Sequence, residues 1–442
     1  MQSLALHSSL LLSPSLSSHL SAAAMAAAAQ EEEVIIVGAG QSGLAVSACL
    51  SQRGVRSLIL ERDDCVGSLW RKRAYDRLHL HLAKQYCALP HLPHRDSSPT
   101  YLPRDAFADY LDAYASRFGA RTRLRCEVTS ARFDAGERRW VVDAVDLAAG
   151  GEVERYTARF LVVASGENDE RFVPEVPGME AFDGAVMHAA EYRSAKGMDG
   201  KAVLVVGCGN SGMEIAYDLA VGGAVTSIVA RGERLPPGAP SVRCRGGTHA
   251  CMVQLSPGAG LLLLLHLVTK EIWNVAMALH GYHVPAWIID KVVLLMCAVV
   301  FGGDTARHGL RRPAVGPFTM KLTTPAYPVV DVGTYAKIKS GEIQVLPAGI
   351  KSVHGNVVEF ADGKRHPFDA IVFATGYRSS VRRWLKDGMA ARSYPEHWKG
   401  ENGLYCAGMV RRGIYGSYED GELIAGDISE LLRPEKAQGK DN

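Results

Sequence analysis

The chain has 442 residues, of which 47% are apolar and 22% are charged, and its 49 basic and 47 acidic side chains leave a net charge of +2. This composition excludes a wholly disordered or collagen-like chain, and the balanced charge argues against a nucleic-acid partner held by bulk charge. Nine scattered cysteines without a C-x-x-C pair argue against a disulfide scaffold or a zinc site and for a reduced, intracellular protein.

Three segments raise the question of targeting or membrane insertion. Residues 1–29 contain no acidic residue, lysine or arginine, whereas a secretory signal begins with a basic region, so we predict a disordered extension. The apolar stretches 258–268 and 292–301 are shorter than the roughly 20 residues of a membrane span. We therefore predict buried core helices there and no integral membrane span.

The first predicted unit begins with the β-branched strand 34–37 and ends with Glu61, the residue after the strand 57–60. Between them, a G-x-G-x-x-G pattern opens a helix and comprises Gly38, Ala39, Gly40, Gln41, Ser42 and Gly43. Such glycines allow a tight turn against a pyrophosphate, which then faces the helix N-terminus. Because a carboxylate at the end of the second strand accepts hydrogen bonds from ribose hydroxyls, the unit predicts FAD binding.

A second unit repeats this pattern. The strand 202–206 leads into Gly207, Cys208, Gly209, Asn210, Ser211 and Gly212. The following strand, 226–230, ends in Arg231 instead of an acid. A guanidinium can pair with a 2′-phosphate, so we predict that this unit binds NADPH in preference to NADH. Two dinucleotide sites in one chain imply hydride transfer from the nicotinamide to the flavin.

The segment between the two units carries the pattern F-x-G-x-x-x-H-x-x-x-Y, formed by Phe182, Gly184, His188 and Tyr192. This pattern matches the signature of flavin-dependent monooxygenases at each fixed position. A disulfide reductase is disfavoured because Cys65 has no second cysteine within a few residues. Two roles stay open for His188, a structural one in the linker and proton donation.

These motifs resemble those of the plant YUCCA family, flavin-containing monooxygenases that convert indole-3-pyruvate into the auxin indole-3-acetate. The resemblance also rests on the segments 68–70, 75–78, 166–168, 310–313, 330–334, 373–377 and 403–405. It implies an enzyme of auxin biosynthesis in which NADPH reduces FAD and O₂ then forms a C4a-(hydro)peroxyflavin. That intermediate would oxidatively decarboxylate an aromatic 2-oxo acid. A related monooxygenase that oxidises nitrogen or sulfur is the alternative.

The expected fold is α/β, with two Rossmann-like dinucleotide-binding domains and the NADPH domain inserted into the FAD domain. The predicted divisions are a disordered extension at 1–29, FAD-binding parts at 30–195 and 331–430, the NADPH-binding domain at 196–330 and a disordered tail at 431–442. The cytoplasm is the expected location, with association with the endoplasmic reticulum as the alternative.

Few candidate residues lie outside the glycine loops, as expected where the flavin carries the chemistry. Trp70 is either a core residue or a wall of the flavin site. The resemblance makes His81, Lys84 and Asn168 weak catalytic candidates, and packing is the alternative role for each. For the substrate carboxylate the sequence does not choose among its candidate arginines, which are Arg71, Arg73, Arg77, Arg411 and Arg412.

Residues 234–264 depart from the family pattern, in which the strand before Arg231 is followed almost at once by a segment like 266–271. The intervening residues are rich in proline, glycine and arginine and then in leucine. Long loops without secondary structure are uncommon in compact domains. We interpret the segment as an insertion, either retained non-coding sequence or a regulatory loop, and a flavoprotein crippled by it is a further alternative.

Overall fold

A computed structural model describes residues 29–229, 263–303, 305–323, 327–346, 348–386, 395–410 and 412–438. The predicted extension therefore lies outside the described residues except for Ala29, and the predicted insertion does so except for its last two residues.

The chain forms two α/β units, the first built around a mixed sheet and the second around a parallel sheet. The strands are β1 Gln30–Val37, β2 Ser57–Leu60, β3 Thr122–Arg123, β4 Cys126–Asp134, β5 Arg139–Asp146, β6 Val153–Val163, β7 Glu170–Arg171, β8 Ala185–His188, β9 Ala202–Val206, β10 Val225–Val229, β11 Leu263–Leu264, β12 Leu267–Val268, β13 Leu310–Arg311, β14 Val329–Val330, β15 Ile343–Leu346, β16 Ile350–His354, β17 Val357–Phe360, β18 Arg365–Pro367, β19 Ala370–Phe373, β20 Tyr377–Arg378 and β21 Leu404–Cys406. The helices are α1 Gln41–Gln52, α2 Ser68–Lys72, α3 Arg104–Arg117, α4 Asn210–Val221, α5 Lys270–Gly281, α6 Ala286–Phe301, α7 Pro317–Thr323, α8 Thr334–Ser340, α9 Val381–Trp384 and α10 Gly413–Gln438.

The first sheet has the order β3-β2-β1-β6-β5-β4, and β21 also pairs with β6. Strands β3, β2, β1, β6 and β21 pair in parallel, whereas β4, β5 and β6 form an antiparallel meander. Alternate residues of β1 enter two different cores, Val34 and Ile36 on one face and Ile35 and Val37 on the other. Burial on both faces explains why this strand is a continuous apolar run.

The second sheet has the order β15-β10-β9-β19-β8, with parallel pairing throughout. Its central strand β9 repeats the arrangement of β1, since Val203 and Val205 enter one core and Leu204 and Val206 another. Strands β16, β17 and β18 form a separate antiparallel sheet.

The sheets divide the chain at points that differ from the predicted domain bounds. Strand β8 lies in the predicted first FAD-binding part, 30–195, and β15 and β19 lie in the predicted second part, 331–430. All three strands belong to the second sheet. The cause is non-local pairing, because β19 lies between β8 and β9. The last helix closes the first unit: Gly421 of α10 packs on Ala45 of α1, where a Cβ on the glycine would lie 3.2 Å from the alanine. This helix continues to Gln438, so the prediction of a disordered tail at 431–442 is wrong for its described part.

Helix α6 contains the apolar stretch 292–301. The prediction of a buried core helix is wrong for one of its faces. Ile289, Val293 and Cys297 are buried, but Leu295 and Val299 are 69% and 80% exposed. No helix in the described ranges is long and apolar enough to cross a membrane.

Candidate functional site

The first glycine loop is a backbone turn in which two of the three glycines leave no room for a side chain. Gly38 has a φ of +108°, and a Cβ on it would lie 2.6 Å from the carbonyl oxygen of Ala164 at the end of β6. A Cβ on Gly43 would lie 1.9 Å from the Gly38 carbonyl oxygen. Gly40, by contrast, has no protein atom within 4 Å of its Cβ position. The loop is therefore tight toward the protein and open at Gly40.

The second loop repeats this geometry. Gly207 has a φ of +116°, and a Cβ on it would lie 2.4 Å from the carbonyl oxygen of Ala374 at the end of β19. A Cβ on Gly212 would lie 2.0 Å from the Gly207 carbonyl oxygen, and Gly209 has no protein atom within 4 Å of its Cβ position.

Gly40 and Gly209 are the N-caps of α1 and α4, and neither helix has a side chain that caps its N-terminus. The first backbone N–H groups of a helix have no partner within the helix, and its dipole favours anions there. A glycine with open space beside such a terminus is suited to a closely approaching phosphate. Both loops thus fit the pyrophosphate of a dinucleotide.

Glu61 lies directly beside the first loop and is 8% exposed. Its carboxylate accepts hydrogen bonds from the backbone N–H groups of Ala39, at 2.7 Å, and of Asp63, at 2.9 Å. Burial raises the pKa of Glu61, against the opposing effect of these two hydrogen bonds. Each carboxylate oxygen can accept a further hydrogen bond, so the predicted contact with a ribose hydroxyl fits this position.

Ser165 follows β6 on the other side of this loop, and its hydroxyl is buried without a hydrogen-bond partner among the described residues. Buried polar atoms are normally hydrogen-bonded. At the equivalent position after β19, the Thr375 hydroxyl donates to the Phe172 carbonyl. The serine hydroxyl is therefore available to a ligand of the first loop.

The side chains of the first loop bind other parts of the same unit. Trp70 donates from Nε1 to the Gln41 side chain at 3.2 Å and packs edge-on against Phe107, with ring centroids 4.9 Å apart. Ser42 and Ser417 of α10 share a hydrogen bond of 2.7 Å between their hydroxyls. The structure thus places Trp70 against the core and beside the loop, and its role as a wall of the flavin site stays a prediction.

Asn210 fastens the second loop to the chain before α8. Its amide donates to the Pro328 carbonyl at 3.3 Å and accepts from the Val330 N–H at 2.8 Å. Cys208 is buried in the core beneath the loop, and Ser211 is partly buried in the first turn of α4. Arg231, the predicted partner of the 2′-phosphate, lies outside the described residues, so that assignment stays a prediction.

The residues of the linker signature make their contacts within the second unit, beside β8 and β19. The Nδ1 of His188 accepts from the Ala190 N–H at 3.1 Å, so its Nε2 carries the proton and donates to the Gly376 carbonyl at 3.2 Å. Burial lowers the pKa of His188, which keeps the ring neutral and favours the structural role.

The other signature residues also make packing contacts. Tyr192 donates to Asp218 of α4 at 2.7 Å. A Cβ on Gly184 would lie 2.4 Å from the Asp369 carbonyl oxygen, and Phe182 packs on the core of the second unit.

His81 reaches a buried carboxylate in the second unit. Its Nε2 lies 3.0 Å from Oε1 of Glu214, which stands two residues after Gly212 and is 3% exposed. The hydroxyl of Tyr75 donates to the other oxygen of the same carboxylate. Burial opposes ionisation of Glu214, but the hydrogen bonds from His81 and Tyr75 and the charge of Lys270 outweigh it and lower its pKa.

Two candidates lie away from this cluster. Lys84 donates from Nζ to three backbone carbonyls, those of Arg95 at 3.0 Å, Asp96 at 2.7 Å and Ser98 at 2.8 Å. An ammonium has three protons, so these three contacts can use every donor of Lys84. They hold the loop 95–98 in place and favour the packing role of Lys84. Asn168 is exposed after β6, and its role stays a prediction.

Sequence reasoning missed Glu214 and the hydroxyl of Ser165. A carboxylate between the apolar residues Met213 and Ile215 of α4 was the available signal for Glu214, because a buried charge requires a partner. The partners themselves are 133 and 139 residues away in sequence, which no local pattern reveals.

A prediction concerns the open and the tight glycines of each loop. We expect Gly43→Ala to displace the loop backbone, at a cost of about 1–3 kcal/mol, because its Cβ has no space. Purified Gly43→Ala should then contain little FAD. Gly212→Ala should retain FAD and lose the reduction of the flavin by NADPH.

Gly40→Ala and Gly209→Ala are the matched variants. Their Cβ atoms meet no protein atom, so thermal unfolding of the apoprotein should not change while the affinity for the respective cofactor falls. Equal stability loss in the tight and the open variants, measured by thermal unfolding, would contradict the roles assigned to the loops.

A second prediction concerns the buried carboxylate of Glu214. Its folded-state pKa is lowered from 4.5, so its ionised form adds stability above that pH, and this stability is lost as the pH falls below it. Glu214→Gln should therefore be less stable than the wild type by about 1–3 kcal/mol at pH 7, and the difference should shrink toward pH 4. Urea unfolding at both pH values measures this, with the exposed Glu137→Gln as the control. A difference that is the same at both pH values would show that the carboxylate charge is not involved.

Comparisons with known proteins agree with this geometry. A family model described as "Pyridine nucleotide-disulphide oxidoreductase" matches residues 35–255, although no disulfide joins cysteines in the described part of the chain. In its fold, the chain is similar to the solved structure of an oxidized steroid monooxygenase bound to NADP. The TM-score is 0.65 and the sequence identity 19%, over 93% of this chain and 87% of that one. It is also similar to a flavin-containing monooxygenase from Stenotrophomonas maltophilia, with a TM-score of 0.62 and 18% identity, over 91% of this chain and 99% of that one.

Curated relatives are closer in sequence. The chain is 44% identical over 405 residues to the probable indole-3-pyruvate monooxygenase YUCCA10 of Arabidopsis thaliana, covering 90% of this chain and 97% of that protein. It is 42% identical over 406 residues to the indole-3-pyruvate monooxygenase YUCCA1 of Oryza sativa subsp. japonica, covering 89% and 90%. These comparisons confirm the predicted fold class and an enzyme that uses FAD, NADPH, O₂ and a small-molecule substrate. The chain belongs to the YUCCA family of flavin monooxygenases.

Proposed function

We propose that this protein is the NADPH- and FAD-dependent monooxygenase that converts indole-3-pyruvate into indole-3-acetate, the reaction type for which its relatives are named. The supporting observation is the pair of equivalent glycine loops, held in one chain by the contacts of Tyr75 and His81 with the buried Glu214. A single loop would serve one dinucleotide, whereas two loops serve hydride transfer between two of them.

The first unit is suited to hold FAD. Bound FAD supplies hydride acceptance and the activation of O₂. The N-terminus of α1 and the open position at Gly40 would hold its pyrophosphate, and the buried carboxylate of Glu61 would accept from ribose hydroxyls. Ser165 would donate its hydroxyl to the same ligand.

The second unit is suited to hold and orient NADPH. The N-terminus of α4 and the open position at Gly209 would hold the pyrophosphate, and Asn210 keeps the loop fixed against residues 328–330. Glu214, the fifth residue of α4, binds Tyr75 and His81 of the first unit. Such contacts hold one loop relative to the other, which hydride transfer requires.

The cytoplasm is our proposal for the location of the enzyme. Nine scattered cysteines without a C-x-x-C pair are typical of a reducing compartment.

The proposed reaction predicts a yellow protein whose consumption of NADPH accelerates on addition of indole-3-pyruvate. Mass spectrometry should identify indole-3-acetate and CO₂ in amounts equal to the NADPH consumed. Phenylpyruvate tests the breadth of the aromatic acid class, and an N- or S-oxide from another substrate would favour the alternative monooxygenase. A colourless protein, or one that forms only hydrogen peroxide, would contradict the proposal and favour a crippled flavoprotein.

A separate prediction concerns the choice between NADPH and NADH. Replacing Arg231 by Asp should raise the KM for NADPH by about 10- to 100-fold, because a charge-assisted contact with the 2′-phosphate is replaced by repulsion. The KM for NADH should change much less, which makes NADH the internal control in steady-state kinetics. An equal rise for both nucleotides would remove the 2′-phosphate role of Arg231.

A further inference from the structure

Three side chains of types that bind metal ions converge at the end of α1 that lies away from the glycine loop. Cys49 stands in the last turn of α1, His91 in the segment before α3, and Glu422 on α10. The Nε2 of His91 lies 3.8 Å from the Sγ of Cys49 and 3.0 Å from the Oε1 of Glu422. These three atoms all lie within 4.8 Å of one another. A thiol, an imidazole and a carboxylate from three separate segments therefore face a common point.

The spacing of the three atoms is close to that of the ligands in a tetrahedral zinc site. Zinc bonds of about 2.3 Å to sulfur and about 2.0 Å to nitrogen and oxygen place the ligand atoms about 3.3–3.6 Å apart. The observed separations of 3.8 and 3.0 Å each differ from this range by about 0.3 Å. A mixed set of sulfur, nitrogen and oxygen suits Zn²⁺, whereas Mg²⁺ and Ca²⁺ take oxygen ligands.

The cluster is closed on the side of the thiol and open on the side of the other two groups. Cys49 is 0% exposed, whereas the side chains of His91 and Glu422 are 37% and 29% exposed. A cation can therefore reach the imidazole and the carboxylate from solvent, with the sulfur as its inner ligand. Three protein ligands leave the fourth tetrahedral position to water.

The segment that carries the imidazole is fixed from both sides by helix α3. The hydroxyl of Tyr114 donates to the Pro90 carbonyl at 2.9 Å, and the hydroxyl of Tyr110 donates to the Leu92 carbonyl at 2.7 Å. Since both neighbours of His91 are held in this way, its backbone is in position before a ligand arrives.

The carboxylate is oriented by an arginine of α1's C-terminal end. Arg53 donates from Nη2 to the Oε2 of Glu422 at 2.8 Å and from Nη1 to the Cys49 carbonyl at 3.2 Å. The other oxygen of the carboxylate, Oε1, is the one that faces His91. In metal sites, hydrogen bonds to the outer atoms of a ligand fix its orientation in the same way.

We propose that Cys49, His91 and Glu422 bind one Zn²⁺ ion, which fastens α10 and the segment 90–92 to α1. The metal takes the place of the thiol proton, which is released to solvent, and the resulting thiolate and the carboxylate balance the two charges of the ion. Cys49 is eight residues, or about 12 Å of helix, from the start of α1. The metal site is thus separate from the glycine loop, and it does not depend on the proposed reaction.

This site corrects the argument from the sequence against zinc. That argument rested on the absence of a C-x-x-C pair, whereas this site uses a single cysteine. The histidine follows the cysteine by 42 residues, and the glutamate lies on the last helix. Only the folded chain brings the three together.

The test titrates Zn²⁺ into FAD-loaded protein, in competition with a chromophoric chelator and after removal of any histidine tag. The wild type should bind one Zn²⁺ per chain. Cys49→Ala, His91→Asn and Glu422→Gln should each weaken this binding by about 100-fold or more, because each removes a ligand. Asparagine is chosen because His91 has a φ of +65°, a conformation that asparagine tolerates.

The matched control is Cys87→Ala, since Cys87 is a second buried cysteine of the same core. This variant should bind Zn²⁺ as the wild type does. The FAD content of each variant reports its folding, and the partly exposed Glu422→Gln carries the test if Cys49→Ala loses its flavin. A wild type that binds no stoichiometric Zn²⁺, or ligand variants that bind it as tightly as the wild type, overturns the proposal.

Co²⁺ in place of Zn²⁺ reports which atoms bind the metal. A tetrahedral site with sulfur should give intense d–d bands in the red, where oxidised flavin does not absorb, and these bands should be absent in Cys49→Ala and present in Cys87→Ala. The weak spectrum of octahedral Co²⁺ in the wild type would overturn the assignment. Zn²⁺ should also raise the unfolding temperature of the wild type and of Cys87→Ala but not that of Cys49→Ala, and an equal rise in all three would contradict the site.

Discussion

At each glycine loop, the loop itself, the first turn of the following helix and the end of the returning strand approach one another closely. The rest of the molecule depends on this constraint. In the first unit, the loop after β1 contacts the end of β6, and in the second, the loop after β9 contacts the end of β19. A side chain at Gly38 or Gly207 would separate these segments. Only glycine allows this contact. The helix N-terminus and the end of the returning strand therefore lie together at the carboxyl ends of the parallel strands.

The second constraint is the joint between the units, which is made of buried polar contacts on helix α4. Glu214 accepts from Tyr75 and lies against His81, and one turn later Asp218 accepts from Tyr192 and lies 3.4 Å from Arg77. Moving the units apart would leave the buried Glu214 without Tyr75 and His81, which is costly for a buried charge. The same helix therefore positions a phosphate-binding loop at its N-terminus and the flavin unit along its side.

The sequence was sufficient for features that are local in the chain. The two strand-loop-helix units were predicted closely, since each combines an apolar run with glycines whose spacing has a steric cause. The sheet boundaries were not predicted, because β19 pairs with strands far from it in sequence. Glu214 was missed for a similar reason, because it is an ordinary charged residue in a helix until distant segments bury it.

The hydrogen bond between Ser42 and Ser417 joins positions 375 residues apart, and this has a consequence for how the enzyme matures. The chain emerges from the ribosome N-terminus first. Helix α1 therefore cannot pack against α10 until the whole second sheet has been synthesised. The nucleotide unit in the middle can pack before the flavin unit is closed. The first unit is therefore closed only after the second sheet has been translated, and a cofactor held by its glycine loop would bind after that step.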